Sequence, residues 1–230
     1  MSRFDFKQFS IAQDRCAMKV GTDGVLLGAW AEGGRRVLDI GSGTGLISLM
    51  MAQRFPDAAV VGIDMDALAC QQAAENVANS KFSEKVKIIH ERLQDFTAPV
   101  FDAIVCNPPF FLNSLKAPDA RRSMARHADT LPFRDLLRGA VTLLSDDGVM
   151  SVVLPLEAVE AFEDEAYMAG LKLSRKCSVK TVPRKQPKRF LLAFRRARLA
   201  EVEETAEVLS NANGSRSEWY QLLTEAFYIK

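Results

Sequence analysis

Asn107-Pro108-Pro109-Phe110 is the tetrapeptide in this chain with the most chemistry in it. It follows the apolar run FDAIVC, 101–106, and two successive prolines there freeze a rigid turn. Such a turn presents the Asn107 side-chain oxygen and the Pro108 carbonyl as paired acceptors. A planar exocyclic amine donates two hydrogens and would be held by both. Phe110 offers an aromatic face on which the ring bearing that amine can stack. The plainer alternative is a structural turn with Phe110 in the core. A second stretch, VLDIGSGTG at 37–45, reads as strand, glycine turn and helix start. Gly41, Gly43 and Gly45 allow close approach of a ligand, and the helix beyond offers unpaired N–H groups. Its alternative is a tight turn that only packs the first helix on a sheet. The next apolar run, 59–63, ends in Asp64, 19 residues beyond Gly45, where a carboxylate can accept hydrogen bonds from a ribose diol. Together these residues suit an amine facing the electrophilic methyl of a sulfonium cofactor. Alignment and exclusion of water would supply most of the catalysis, with neither metal nor covalent intermediate.

The elements that must position these residues alternate. Strands are expected at 37–40, 59–63, 86–89, 101–106 and 149–154, and helices at 46–54, 67–78, 133–144 and 156–168. Phe55-Pro56-Asp57 ends the first of these helices, and Asp146-Asp147-Gly148 reads as a turn. Alternation of this kind predicts an α/β fold with a mostly parallel sheet, whose ligand sits beyond the carboxyl ends of the strands. Residues 171–182 and 190–196 read as a closing antiparallel hairpin with PRKQPKR at its tip. The opening 1–30 carries alternating Phe4, Phe6, Phe9 and Ile11, a turn at Lys19–Gly24 and a short helix over 25–30, as a preface folded over the glycine turn. Thr22 and Asp23 there either contact a cofactor or cap that helix. The stretch 211–217 is polar and expected to be mobile, whereas Trp219, Tyr220, Leu222, Leu223, Phe227 and Tyr228 should dock.

With 230 residues and 48% apolar content, one medium domain with a full core is expected. No signal peptide or bilayer-spanning run is read in it, and four scattered cysteines fit reduced cytoplasmic thiols better than disulfides or zinc. The net charge is only +1, yet residues 172–198 hold eleven Lys or Arg and no Asp or Glu, between acidic stretches at 157–165 and 201–207. A basic face suggests a polyanionic partner; solvated surface charge is the alternative. The hairpin tip, Arg184, Lys185, Lys188 and Arg189, is the candidate phosphate contact. The segment 111–130 shows little periodicity and contains Phe111, Arg126 and His127, further candidate substrate contacts. His127 reads equally as a general base, an RNA contact or a packed loop residue.

LDIGSGTG, Asp64 and NPPF together resemble the class I S-adenosylmethionine-dependent methyltransferases that modify amino nitrogens. Within that class the opening FKQFSIAQDRCAMKVGTDGVLLGAW, ARHA at 125–128 and the closing FYIK are similar to the bacterial enzymes that methylate N6 of adenine 37 in a valine tRNA. The resemblance covers essentially the whole chain. It implies a Rossmann-like sheet of seven strands, S-adenosyl-L-methionine as cofactor, tRNA as partner, and a cytoplasmic, monomeric enzyme with no metal. Residues 1–35 would cover the site, and 36–230 would form the methyltransferase domain with its basic hairpin at 171–198. Asn107, Pro108, Pro109 and Phe110 would hold the target adenine. Asp39 and Gly41 would line the methionine side of the cofactor, with Thr22, Gly43 and Gly45 nearby, and Asp64 would bind the ribose. After the third strand, Leu93 is the expected contact to the cofactor adenine, with Asp95 the alternative. A guanine N2 methyltransferase of ribosomal RNA, a protein glutamine methyltransferase and an RNA-binding module without catalysis are the rival readings.

Overall fold

The computed structural model describes residues 3–16, 18–108, 131–197 and 201–229. Its centre is a sheet of strands β3 (Arg36–Ile40), β4 (Ala59–Asp64), β5 (Val86–His90), β6 (Phe101–Cys106), β7 (Leu144–Pro155), β8 (Lys172–Lys180), β9 (Arg189–Arg195) and β10 (Glu203–Val208). They lie in the order β10-β8-β9-β7-β6-β3-β4-β5. All neighbouring pairs are parallel except those of β9, which runs against both β7 and β8. The expected seven strands are β3 to β9, and β10 adds an eighth at the edge, outside the sequence reading. Two further strands, β1 (Arg3–Asp5) and β2 (Ser10–Ala12), make a separate antiparallel ribbon from the alternating phenylalanines.

The strands are nearly continuous apolar runs because helices cover both faces. Val37, Val60, Ala103, Val105, Val149 and Val153 point into one buried cluster, with helices α1 (Thr22–Trp30) and α2 (Leu46–Arg54). Their neighbours Leu38, Ile40, Ile63, Ile104, Met150 and Val152 point into the other, with α4 (Phe133–Leu143) and α5 (Leu156–Met168). Alternation along each strand thus divides one set of residues between two cores. Helix α3 (Ala67–Ala78) completes the β4–β5 crossover, with Asp66 capping it through Leu68 N–H (2.8 Å) and Ala69 N–H (3.3 Å).

Four local expectations change. Helix α1 begins at Thr22 with Gly21 as its cap, and no side chain caps it. Asp146-Asp147-Gly148 is not a separate turn. Strand β7 runs from Leu144, and these residues form an irregularity against β6, where the pairing jumps from Phe101 with Leu144 to Ala103 with Val149. The polar stretch 211–217 is a hydrogen-bonded turn, closed by Asn211 N–H to Ser215 O (2.8 Å) and Gly214 N–H to Asn211 O (3.0 Å). It leads into α6 (Glu218–Thr224), where Tyr220 and, beyond the helix, Phe227 are buried, while Leu222 is exposed rather than docked. Phe6 stacks on Tyr228 and Phe9, and Lys7 N–H donates to Phe227 O (2.8 Å), so the two ends of the chain close on each other.

Candidate active site at the carboxyl edge of the sheet

Strand β3 pairs with β4 on one side and β6 on the other, and the connections leave it in opposite directions. That reversal opens a crevice beyond the carboxyl ends of β3 and β6. A cavity of about 330 Å³ lies there, lined by Gly41 and Gly43 after β3, Asp64 to Asp66 after β4, Glu91 to Gln94 after β5, and Asn107 and Pro108 after β6. Cys16, Met18 and Leu131 complete its rim.

The glycine turn has the geometry that only glycine accepts cheaply: φ is +72° at Gly41, +53° at Gly43 and +79° at Gly45. A Cβ on Gly41 would meet nothing within 4 Å, so this glycine faces open space on the cavity side. Gly45 has another task. A Cβ there would press on Ala73 of α3 at 3.3 Å, and Gly45 is not among the lining residues. Gly41 N–H and Ser42 N–H donate to Ile63 O (2.9 and 3.0 Å), which ties the turn to the end of β4. Asp64 then holds the turn from the side: its Oδ2 accepts from Gly43 N–H (2.8 Å) and its Oδ1 from Asp66 N–H (2.9 Å). Each carboxylate oxygen keeps a further lone pair for a ligand.

Asp39 lies fully buried behind the turn, outside the cavity lining. Its Oδ2 accepts from Ser48 N–H (2.9 Å) and Ser48 Oγ (2.6 Å), fastening the start of α2 to the end of β3. Its Oδ1 has no partner among the described residues. Burial pushes its pKa up to about 7, against the lowering effect of the Ser48 hydrogen bonds. Asn107 is the second orphan: its Oδ1 is buried at the cavity and also lacks a partner among the described residues. Native interiors seldom leave such an acceptor idle, so a donor from a ligand is the expected complement. The thiol at Cys106, beside it, is held well above its usual range by burial, so it is no nucleophile.

Of the other expected residues, Leu93 lines the cavity and Asp95 does not. Thr22 does not line it either, and the side chain of its neighbour Asp23 pairs with Arg189 Nε. Pro109, Phe110, Phe111, Arg126 and His127 lie outside the described residues. Glu91, Met65, Cys16 and Met18 line the cavity without having been expected. Glu91 had a legible signal, an acid directly after the third strand. It is passed over when that strand is ended at Ile89 instead of His90.

The basic stretch is resolved by pairing. Lys176 meets Glu163 (2.8 Å), Arg175 meets Glu203 (3.2 Å), Arg195 meets Glu32 (2.5 Å) and Arg189 meets Asp23. Lys172 sits over the Tyr167 ring at 3.6 Å. The acids absent from 172–198 in sequence arrive from β10, α1, α5 and the α1–β3 connection. Arg184, Lys185 and Lys188 remain exposed at the hairpin tip. Because β8 is parallel to β10 and opposed to β9, itself opposed to β7, β8 runs with β7 and its tip emerges at the same edge as the cavity.

Residues 20–157 match the family model described as methyltransferase small domain. A tRNA1(Val) (adenine(37)-N6)-methyltransferase of Bacteroides fragilis is 44% identical over 237 residues, covering 99% of this chain and 98% of its own length. The chain belongs to that methyltransferase family. A member of the same name from Trichodesmium erythraeum is 42% identical over 239 residues, 100% of this chain and 98% of its own. Among solved structures, a predicted O-methyltransferase from Agrobacterium tumefaciens superposes with a TM-score of 0.68 at 17% identity, over 89% of this chain and 96% of that one, a likeness of fold. The family's cofactor is S-adenosylmethionine. The residues present fit it: open space over Gly41, free acceptor capacity on Asp64 and a buried acceptor at Asn107 with no partner among the described residues are what a diol-bearing, methyl-donating nucleoside and its amine acceptor need. Among the described residues no helix is long and apolar enough to cross a membrane.

Proposed function

We propose that this chain methylates the exocyclic N6 amine of adenine 37 in a valine tRNA, using S-adenosylmethionine. The observation that carries the chemistry is the buried Asn107 Oδ1 at the end of β6, without a partner among the described residues and facing the crevice shared with the glycine turn. The relatives' names and their near-complete coverage support the nucleotide and the RNA. The bound cofactor supplies an electrophilic methyl group. Asn107 Oδ1 and the Pro108 carbonyl accept the two amine hydrogens. Holding both draws the nitrogen lone pair out of conjugation with the ring and fixes it for in-line attack. Pro109 and Phe110, following in sequence, stiffen the turn and stack the base in this reading. Gly41 and Gly43 admit the cofactor, Asp64 accepts its ribose hydroxyls, and Leu93 packs by its adenine. Asp39 acts from behind by anchoring the turn and α2. Once the methyl has arrived, the nitrogen is acidic enough to lose its proton without a dedicated base, so His127, Arg126 and Phe111 serve as RNA contacts.

Arg184, Lys185 and Lys188 are read as phosphate contacts, supported by their exposure on the edge that holds the cavity. Arg189 drops from that set because Asp23 occupies it. The working unit in this reading is a monomer, and a tRNA substrate supports a cytoplasmic site of action. The test is transfer of label from S-adenosylmethionine to total tRNA, ribosomal RNA and protein, followed by nucleoside analysis of whichever pool takes it. N6-methyladenosine in a valine tRNA, lost when position 37 is changed to guanine, is expected. Label in N2-methylguanosine or in glutamine would overturn the reading.

A further inference from the structure

Helix α3 buries two amide side chains on the face that should be apolar. Asn76 and Gln72 are 4% and 1% exposed, among Ala69, Ala73 and Val77. A buried amide is costly unless its hydrogen bonds are made, and here both are spent on the segment that precedes α1. Asn76 Oδ1 accepts from Ala12 N–H (2.9 Å), and Asn76 Nδ2 donates to Ala12 O (2.9 Å) and to Thr44 O (2.9 Å). Gln72 Oε1 accepts from Arg15 N–H (2.9 Å), and the Arg15 guanidinium pairs with Glu75 one turn away. One side chain therefore links the N-terminal segment directly to the glycine turn, through Thr44. Just beyond these bonds the segment places Cys16 and Met18 on the cavity rim, with Cys16 Sγ 3.7 Å from where a Cβ of Gly43 would stand. Met18 is 54% exposed there, and Met65, also on the lining, is 45% exposed. Both present apolar surface that a ligand in the cavity would cover.

We propose that Asn76 and Gln72 are positioning residues for the cofactor site: they hold the N-terminal segment in register with the glycine turn, so that Cys16 and Met18 form one wall against bound S-adenosylmethionine. The inference rests on the cofactor reading above. It explains why polar side chains occupy a helix face where alanine or leucine would pack at less cost. Backbone amides and carbonyls define a position, and an apolar contact would let the segment slide.

The test uses the full chain and S-adenosylmethionine itself. Wild type is titrated by calorimetry first; absence of binding would sink the cofactor reading and this inference with it, whereas the variant results below bear on this inference alone. Given binding, Asn76→Ala and Gln72→Ala are each expected to weaken affinity by about tenfold. The KM for the cofactor should rise in step, while kcat at saturating cofactor and KM for tRNA stay within about twofold of wild type. Trypsin supplies a second readout, at Arg15 and Lys19: S-adenosylmethionine should slow cleavage there in wild type and fail to do so in Asn76→Ala. Should Asn76→Ala not fold, Gln72→Ala, which removes a single acceptor, carries the measurement. Unchanged affinity and unchanged protection would overturn the proposal. So would an equal loss in kcat and both KM values, which marks general loosening.

Discussion

Three carboxyl or amide groups at the strand ends have separable tasks, and single substitutions tell them apart. Asp64 already holds Gly43 and Asp66 N–H groups, so Asp64→Ala removes the brace on the turn together with the proposed ribose acceptor. Affinity for S-adenosylmethionine measured by calorimetry should fall by about 1–3 kcal/mol. Asn107→Ala strands no protein donor, since Oδ1 has none among the described residues. It should depress the single-turnover rate at saturating tRNA far more than it changes cofactor affinity. An undiminished rate would remove Asn107 from the reaction. Asp39 is a question of protonation. Its folded-state pKa, about 7, lies above the value for an unfolded chain, so the folded state holds the extra proton between about pH 4 and 7. Stability from this group is therefore present at low pH and is lost as pH rises through 7. Asp39→Asn mimics the protonated carboxyl and keeps an acceptor for Ser48. Its melting temperature should exceed that of wild type at pH 8, with the difference shrinking toward pH 5; a variant less stable than wild type at pH 8 contradicts this sign.

The β8–β9 hairpin shows how an element is read differently from its composition. Along its strands the cations are paired, with Lys176, Arg175, Arg189 and Arg195 each matched to an acid from another element. Its tip, by contrast, projects the exposed cations Arg184, Lys185 and Lys188 at the carboxyl edge. Changing these three to Ala should weaken tRNA binding for target and non-target tRNA alike. It should also flatten the log–log salt dependence by about 0.7–0.9 for each phosphate that the tip no longer neutralises. Titrations over a range of KCl decide this, and affinity for S-adenosylmethionine serves as the internal control. If both affinity and slope match wild type, tRNA docks elsewhere. Arg189→Ala belongs to a different class: it leaves Asp23 without its partner and should act on stability before it acts on RNA.

At the scale of the whole molecule, the chain is closed by its own ends. Phe227 is 1% exposed and packs in the same core as Phe6, Phe9 and α1, while its carbonyl accepts from Lys7 N–H. Gln53 Nε2 of α2 also donates to Ala226 O (2.8 Å). Truncating this ring therefore disturbs the terminal ribbon, α1 and the tail together. Phe227→Ala should cost about 3–5 kcal/mol in urea denaturation.

The sequence by itself determined whatever depends on neighbours along the chain. The glycine turn, the rigid Asn-Pro-Pro step, the acid ending β4 and the alternation of strand and helix are all local, set by backbone freedom, ring closure and side-chain period. From them follow the parallel sheet and the edge on which Asp64 and Asn107 meet. What the tertiary structure alone decided depends on partners distant in sequence. The acids that neutralise the basic stretch lie in β10, α1, α5 and the α1–β3 connection. The acidic 203–208 became a strand because β8 offered it an open edge and opposite charge. Asn76, at an ordinary position in an alanine-rich helix, became a three-way link only when Ala12 and Thr44 were brought to it. Asp39 reads in the sequence as a carboxylate lining the cofactor, and only the packing puts it behind the turn, where burial removes its water and raises its pKa. Hydrogen bonds and charge pairs reward proximity in space, and a linear chain does not display which distant groups its packing will bring within about 3 Å.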